Sequence, residues 1–248
     1  MSKIPFLNTS LNEAREKLAK LSPEKKLEWA LEKFENKFAI TTSFGIQSSV
    51  LLNMIHQLNH KKQIKVIWVD TGYLPPETYH YADLLSKKLN LTITAVQSPI
   101  SPARMEALYG KLWETNSVKD LETYHQIRKV KPLEEAFNKY EIECWASGVR
   151  SSQTNNRSAM NSLDIVRERL SLRPILGWSK KDIFYYMEKH NLPHHPLFEK
   201  GYSSIGDWHS STPEGNDSIG RKTRFGGLKE ECGIHIADQS DEEKEKSD

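Results

Sequence analysis

Lys65-Val-Ile-Trp-Val69, running straight into Asp70-Thr-Gly72, is the stretch that decides the fold. Its apolar residues follow one another without alternation. That is the pattern of a strand buried on both faces, and so of a parallel sheet covered by helices on both sides. Upstream, Phe38-Ala-Ile-Thr-Thr42 has similar character and leads into Ser43-Phe-Gly45; downstream, Leu91 to Val96 is a third such run. Between them, Ile46 to Leu58 and Pro76 to Leu89 read as helices. Strands alternating with helices predict an α/β chain with a mostly parallel sheet. Ligands of such sheets bind beyond the carboxyl ends of the strands.

Working outward, Leu11 to Glu35 reads as a helix that Pro23 splits in two. Helical patterns recur at Pro102–Tyr109 and Pro132–Tyr140, and strands are expected at Glu143–Ser147 and Ile165–Leu172. Ser179 with Asp182 forms a capping pair for a helix reaching His190. Beyond Asn191 regular pattern is lost, and Tyr202 to Gly227, rich in Gly, Ser and Thr, reads as loop. There is no internal repeat and no dividing linker.

The 248 residues are 37% hydrophobic and 27% charged, with a net charge of +2. The near balance argues against a nucleic-acid partner. Asp238 to Asp248 holds six acids and two lysines, a net of −4 that leaves +6 elsewhere, and reads as a disordered tail. Ser2 to Ser10 lacks the apolar run of a secretory signal, and no window approaches the ~18 apolar residues of a membrane helix. Cys144 and Cys232 are too few for a disulfide framework, so a cytoplasmic, reducing location is expected.

Four stretches carry candidate chemistry. Ser43-Phe44-Gly45-Ile46-Gln47-Ser48 joins a strand to a helix, where free amides and the helix dipole favour an anion; an ordinary capped turn is the alternative. Asp70-Thr71-Gly72 offers a carboxylate for ribose or adenine donors, or merely a turn former. Trp145-Ala-Ser-Gly-Val-Arg150-Ser-Ser-Gln153-Thr-Asn-Asn-Arg157 releases Arg150, Gln153 and Arg157 after a strand; arginine forks suit phosphate and sulfate oxygens, though a solvated loop reads the same. Last, Arg221-Lys-Thr-Arg224 precedes Lys229-Glu-Glu-Cys232-Gly-Ile-His235. Cys232 sits in a polar, Gly-flanked context, whereas Cys144 lies in an apolar strand. Glu230 and Glu231 would raise a thiol's pKa, and Arg221, Lys222, Arg224, Lys229 and His235 would offset them only if folded nearby. The histidines at 190, 194, 195 and 209 match no zinc spacing, so no metal is expected.

Taken together, Ser43–Ser48, Val69-Asp-Thr-Gly72, Arg128-Lys-Val-Lys-Pro-Leu133, Trp145–Arg150, Gly201-Tyr-Ser-Ser-Ile-Gly-Asp-Trp-His209 and Glu231–His235 stand in a known order. From about Phe38 to His235 the chain resembles the assimilatory phosphoadenylyl-sulfate (PAPS) reductases, within the adenine nucleotide alpha-hydrolase-like, PP-loop-type fold. Two departures appear. Ser151 stands where the family usually has a second basic residue, and the first motif lacks the second glycine and Lys-Asp of related ATP-pyrophosphatases. The second departure argues against ATP cleavage as the activity.

The resemblance implies a single domain over residues 1–237, followed by the tail 238–248. A nucleotide-binding core would span about 38–200 and a mobile catalytic segment about 203–237. It implies Cys232 as nucleophile, with a nucleotide held by Ser43–Ser48, Asp70–Gly72, Arg150 and Gln153. Lys129, Arg157, Arg221 and Arg224 are expected to meet phosphate and sulfate charge, with His235 also at the substrate. Iron–sulfur relatives carry cysteines where this chain has Tyr124, His125, Asp207 and Ser210, so no cluster is expected. With no second cysteine at hand, the reductant would be thioredoxin or glutaredoxin. Two alternatives stay open: a cluster-free reductase of adenylyl sulfate (APS), and an adenylating enzyme of the ATP-pyrophosphatase type. The resemblance also leaves a homodimer open.

Overall fold

The computed structural model describes residues 9–58, 64–215, 219–228, 231 and 233–235. Helix α1 (Leu11–Ala19) opens on a capping box between Ser10 and Glu13, and α2 (Pro23–Phe34) on a Ser22 cap. Pro23 begins the second helix, where its missing N–H costs nothing. Then β1 (Phe38–Thr42), α3 (Ser48–Leu58), β2 (Lys65–Val69), α4 (Pro76–Lys88) and β3 (Ile93–Val96) make two parallel crossovers. Helices α5 (Pro102–Tyr109), α6 (Val118–His125) and α7 (Lys131–Lys139) follow, the last two joined by a π-helical turn, Gln126–Val130. The chain continues through β4 (Cys144–Ala146), the short α8 (Asn155–Ser158), β5 (Leu163–Val166), β6 (Arg169–Leu172) and α9 (Lys180–Lys189).

The strands form one sheet in the order β3-β2-β1-β4-β6-β5, parallel except for β5 against β6. Side-chain alternation splits the core. Phe38, Ile40, Val66, Trp68, Cys144 and Ala146 pack with helices α1 to α4 and α9; Ala39, Ile67 and Trp145 pack with Leu133, Ala136 and Phe137 of α7. Both faces of the central strands are therefore covered, as the unalternating run at 65–69 predicts.

Two local expectations need correction. Ile165–Leu172 is a hairpin, not one strand: Arg167 and Glu168 both take left-handed φ angles, 49° and 61°, and turn the chain in two residues. Val118–Val130 is helical where no helix was expected. Pro132 explains the π turn that follows, since it cannot donate the N–H that a regular α-helix would need.

β1 leads by crossover to β2 on one side, while β4 pairs with its other side. Their carboxyl ends thus send loops in opposite directions, which opens a crevice at this switch point. After α9 the chain returns across that crevice in loops with short 3-10 turns at Trp208–Ser210, Gly220–Thr223 and Phe225–Gly227, seated by a small cluster of Ile46, Leu197 and Ile205.

His195 fixes the start of this return. Its Nδ1 accepts the Leu197 amide at 3.1 Å and its Nε2 faces Thr78 Oγ1 at 3.1 Å, while burial lowers its pKa to about 4. The unfolded chain therefore takes up this proton first as pH falls. Roughly 2–3 kcal/mol of stability should be lost between about pH 6.5 and 4. Urea titrations at pH 7 and pH 5 should show a smaller pH dependence in His195→Asn, whose Oδ1 can still accept the Leu197 amide. An unchanged pH dependence would remove His195 as its source.

Candidate active site

The loop after β1 is turned by a residue that is not glycine. Phe44 adopts φ 48°, its amide donates to Thr42 Oγ1 at 3.2 Å, and its ring packs edge-on against Trp68 with centroids 5.0 Å apart. Burial of the ring offsets a backbone cost on the order of 1 kcal/mol. The turn leaves the amides of Gly45, Ile46 and Gln47 without acceptors among the described residues, at the N-terminus of α3. Ser48 is the exception in this loop, since its hydroxyl donates to Gly45 O at 2.5 Å.

Opposite, β4 ends in Ser147-Gly148-Val149-Arg150. The Arg150 guanidinium is 4% exposed and gives Nη2 to Gln47 Oε1, which ties the two loops together across the switch point. Its Nη1 has no hydrogen-bond partner among the described residues. Burial, together with the nearby Arg157 charge, lowers its pKa to about 10. A buried cation left open in this way is an anion site by its own energetics.

The other cations are already engaged. Lys129 lies 2.5 Å from Asp207 Oδ2, and Thr71 donates to Asp207 Oδ1 at 2.5 Å. Although burial pushes the Asp207 carboxyl up, Lys129 and Arg224 hold it well below the carboxylate range. Arg224 donates to Ser210 O at 2.9 Å and Ser210 Oγ at 2.7 Å, and lies so close to Gly206 that a Cβ there would meet its Nη1 at 2.1 Å. Arg157 grips Glu231 with both arms, Nε to Oε1 at 2.7 Å and Nη2 to Oε2 at 2.8 Å. Arg221 stands 3.8 Å from the same carboxylate. His235 stacks over Trp145, with ring planes 19° apart; burial and the surrounding arginines hold it neutral.

One cleft collects Ser43, Gly45, Gln47, Ser48, Thr71, Lys129, Arg150, Gln153, Arg157, Arg221, Arg224 and His235. Its apolar lining includes Leu51, Leu52, Val149, Ile175 and Ile205. Three expected residues do not line it. Phe44 is core. Asp70 is a strut, accepting from Gly72 N (2.9 Å), Tyr79 Oη (2.7 Å) and Gln97 Nε2 (2.6 Å). Gly72, at φ 74°, packs on Pro102, where a Cβ would come within 2.7 Å. Lys129 and Arg157 line the cleft but are each bound to a carboxylate. Cys232 lies outside the described residues; Glu231, Ile234 and His235 near it in sequence all line the cleft.

Asp207 and Glu231 are the cleft carboxylates that the sequence reading did not assign. Asp207 sits in the Ser-Ile-Gly-Asp motif and is legible from it; in the sequence Glu231 reads only as a charge beside the thiol, and its pairing with Arg157 has no local signal. Cys144 is buried, and burial pushes its thiol pKa far up. Tyr124 contacts His209 at 3.1 Å, and Asp207 holds Lys129.

Such a cleft, on a switch-point sheet with free amides and an open guanidinium, belongs to a nucleotide-type anion binder of the α/β class. A family model of the phosphoadenosine phosphosulfate reductase domain matches residues 37–213. The phosphoadenosine 5′-phosphosulfate reductase of Synechococcus sp. is 47% identical over 94% of this chain and all of its own; that of Synechocystis sp. is 44% identical over 94% of this chain and 90% of its own. The crystal structure of the PAPS reductase of Candida auris, a phosphate complex, superposes with a TM-score of 0.71 at 27% identity, covering 83% of this chain and 99% of that one. Yeast FAD synthetase, at a TM-score of 0.54 and 15% identity, shares the fold. The chain belongs to the phosphoadenosine phosphosulfate reductase family.

Removing one partner of the Lys129–Asp207 pair leaves a buried charge alone. Asp207→Asn should lower stability by about 3–5 kcal/mol in urea unfolding. A loss under about 1 kcal/mol would mean that water reaches the pair.

Proposed function

We propose that this chain reduces phosphoadenylyl sulfate to sulfite and adenosine 3′,5′-bisphosphate, with Cys232 as nucleophile, in assimilatory sulfate reduction. The observation that carries this reading is the open Nη1 of buried Arg150, beside the free amides of Gly45–Gln47, in a chain of this family. Among the described residues, five cationic side chains and two carboxylates line the cleft, an excess that suits a polyanion. The apolar lining at Leu51, Leu52, Val149 and Ile175 suits a planar base.

The Cys232 thiolate attacks the sulfuryl sulfur, the S–O bond to the nucleotide phosphate breaks, and adenosine 3′,5′-bisphosphate leaves. The product is Cys232–S–SO₃⁻. A thiolate of an external dithiol then attacks Cys232 Sγ and expels sulfite. Its second thiol resolves the mixed disulfide, so the two electrons come from the dithiol and Cys232 is restored. Burial of Cys144 denies the chain a resolving thiol of its own, which supports thioredoxin or glutaredoxin as donor, and two cysteines in all are too few for the four thiolates of an iron–sulfur cluster. No helix among the described residues is long and apolar enough to cross a membrane, in keeping with a cytoplasmic enzyme. The segment 203–237 is the catalytic segment in this reading, closing on bound nucleotide.

Cys232→Ser should abolish sulfite formation while nucleotide binding survives, and mass spectrometry without reductant should find a sulfonate on Cys232 in the wild type. An adduct on Cys144, or full activity in the serine variant, would refute the mechanism. Arg150→Ala should weaken binding of adenosine 3′,5′-bisphosphate by about 1.5–3 kcal/mol, roughly 10- to 150-fold, in calorimetry. The pairing of Lys129 and Arg157 with carboxylates favours one second reading, APS as substrate, because fewer cations are open to a 3′-phosphate. A higher kcat/KM for APS than for PAPS would select it.

A further inference from the structure

We propose that Arg157 and Glu231 form a latch that sets the position of the nucleophile, so that Arg157 is a positioning residue and not a phosphate ligand. The inference rests on the role proposed above for Cys232, whose chain neighbour is Glu231. Glu231 is 3% exposed and Arg157 5%. A carboxylate buried this deeply is tolerated only when paired and hydrogen-bonded, so the segment can occupy the cleft only with Glu231 mated to a cation. The mate is fully specified. Arg157 meets it through two parallel contacts, Thr154 adds its hydroxyl at 2.9 Å, and both residues stand at the start of α8. Such a fork fixes direction as well as distance.

The other side of residue 232 is held independently. Arg167, in the β5–β6 hairpin turn, donates Nη1 to Ile234 O at 2.8 Å and Nη2 to Gly233 O. Gly233 takes φ 80°, a conformation that favours glycine. The chain is therefore pinned one residue before and one residue after position 232, from two different elements. The latch also reaches the anion loop. Gln153 Oε1 accepts from Arg157 Nη1 at 2.5 Å and from the Arg150 amide at 2.9 Å. Nucleotide site and nucleophile segment thus share one polar network, in which Arg157 serves the segment and Arg150 the anion.

The two roles for Arg157 predict different kinetics. Arg157→Gln, Glu231→Gln and the double variant should be compared with wild type in two measurements. One is the dissociation constant of adenosine 3′,5′-bisphosphate by calorimetry. The other is the single-turnover rate of Cys232 sulfonation by PAPS, followed by intact-protein mass spectrometry without reductant. The latch predicts dissociation constants within about 3-fold of wild type and sulfonation slowed about 10- to 100-fold in both single variants. The double variant should be no slower than the slower single one, since both remove the same contact. Glu231→Gln keeps the side-chain shape and decides the matter alone if Arg157→Gln fails to fold. Nucleotide binding weakened 10-fold or more in Arg157→Gln but not in Glu231→Gln would make Arg157 a phosphate ligand and overturn the latch. A normal sulfonation rate in Glu231→Gln would overturn it too. Absence of any Cys232 adduct in the wild type would instead overturn the functional reading, and the latch with it.

Discussion

A cation taken out of water has to be answered by something, and this cleft is built around that demand. Lys129, Arg150, Arg157 and Arg224 line it and are all nearly inaccessible. Asp207 answers Lys129, Glu231 answers Arg157, and the Ser210 oxygens receive Arg224. Arg150 alone of these four keeps a guanidinium nitrogen with no acceptor among the described residues, and it is the one at the switch point. The distribution separates two jobs that look identical in a sequence. Paired cations hold the return segment on the sheet; the open one has capacity left for a ligand. Desolvation of Arg150 is unfavourable, and an anion placed against its open nitrogen would relieve it.

The sheet and its crevice were legible from local pattern. The unalternating run at Lys65–Val69 implied cover on both faces, and its neighbours at Phe38–Thr42 and Leu91–Val96 implied parallel partners; the observed sheet has them adjacent. Ser179 with Asp182 marked the start of α9, which begins one residue later. What failed was local structure decided by tertiary context. Ile165–Leu172 carries two strands because Arg167 and Glu168 adopt left-handed φ, which neither residue type advertises. Val118–Val130 is helical although its apolar positions are few: Leu121, Tyr124 and Val130 are buried, and Ile127 packs partly buried beside them.

Which residues line the cleft was largely legible in the sequence; how each of them is engaged was not. Motif order gathered most of the cleft-lining residues, because side chains near the carboxyl ends of β1 and β4 have nowhere else to go. Asp70 and Gly72 were misplaced for one reason: the loop after β2 spends them on its own closure, with Tyr79, Gln97 and Pro102 as partners. Phe44 was misplaced because a hydrophobic ring in a strained turn serves as the anchor of that turn. No spacing rule reveals that Arg157 is matched to a glutamate 74 residues away.

That long-range match changes the meaning of the closing motif. Read as a string, Glu231 beside Cys232 works against the thiol, since an adjacent negative charge disfavours a thiolate. Folded, the Glu231 charge is taken up by Arg157, with Arg221 close by. Gly233 supplies a backbone turn whose carbonyl meets Arg167, and His235, held neutral, closes the segment by stacking on Trp145 of β4. Each described position of Glu231-x-Gly-Ile-His235 thus has a structural task that does not involve its own reactivity. The stretch Glu231–His235 is in this sense a docking sequence: its described residues seat the chain on a cleft that keeps an excess of cations, with Arg150 holding the unpartnered nitrogen.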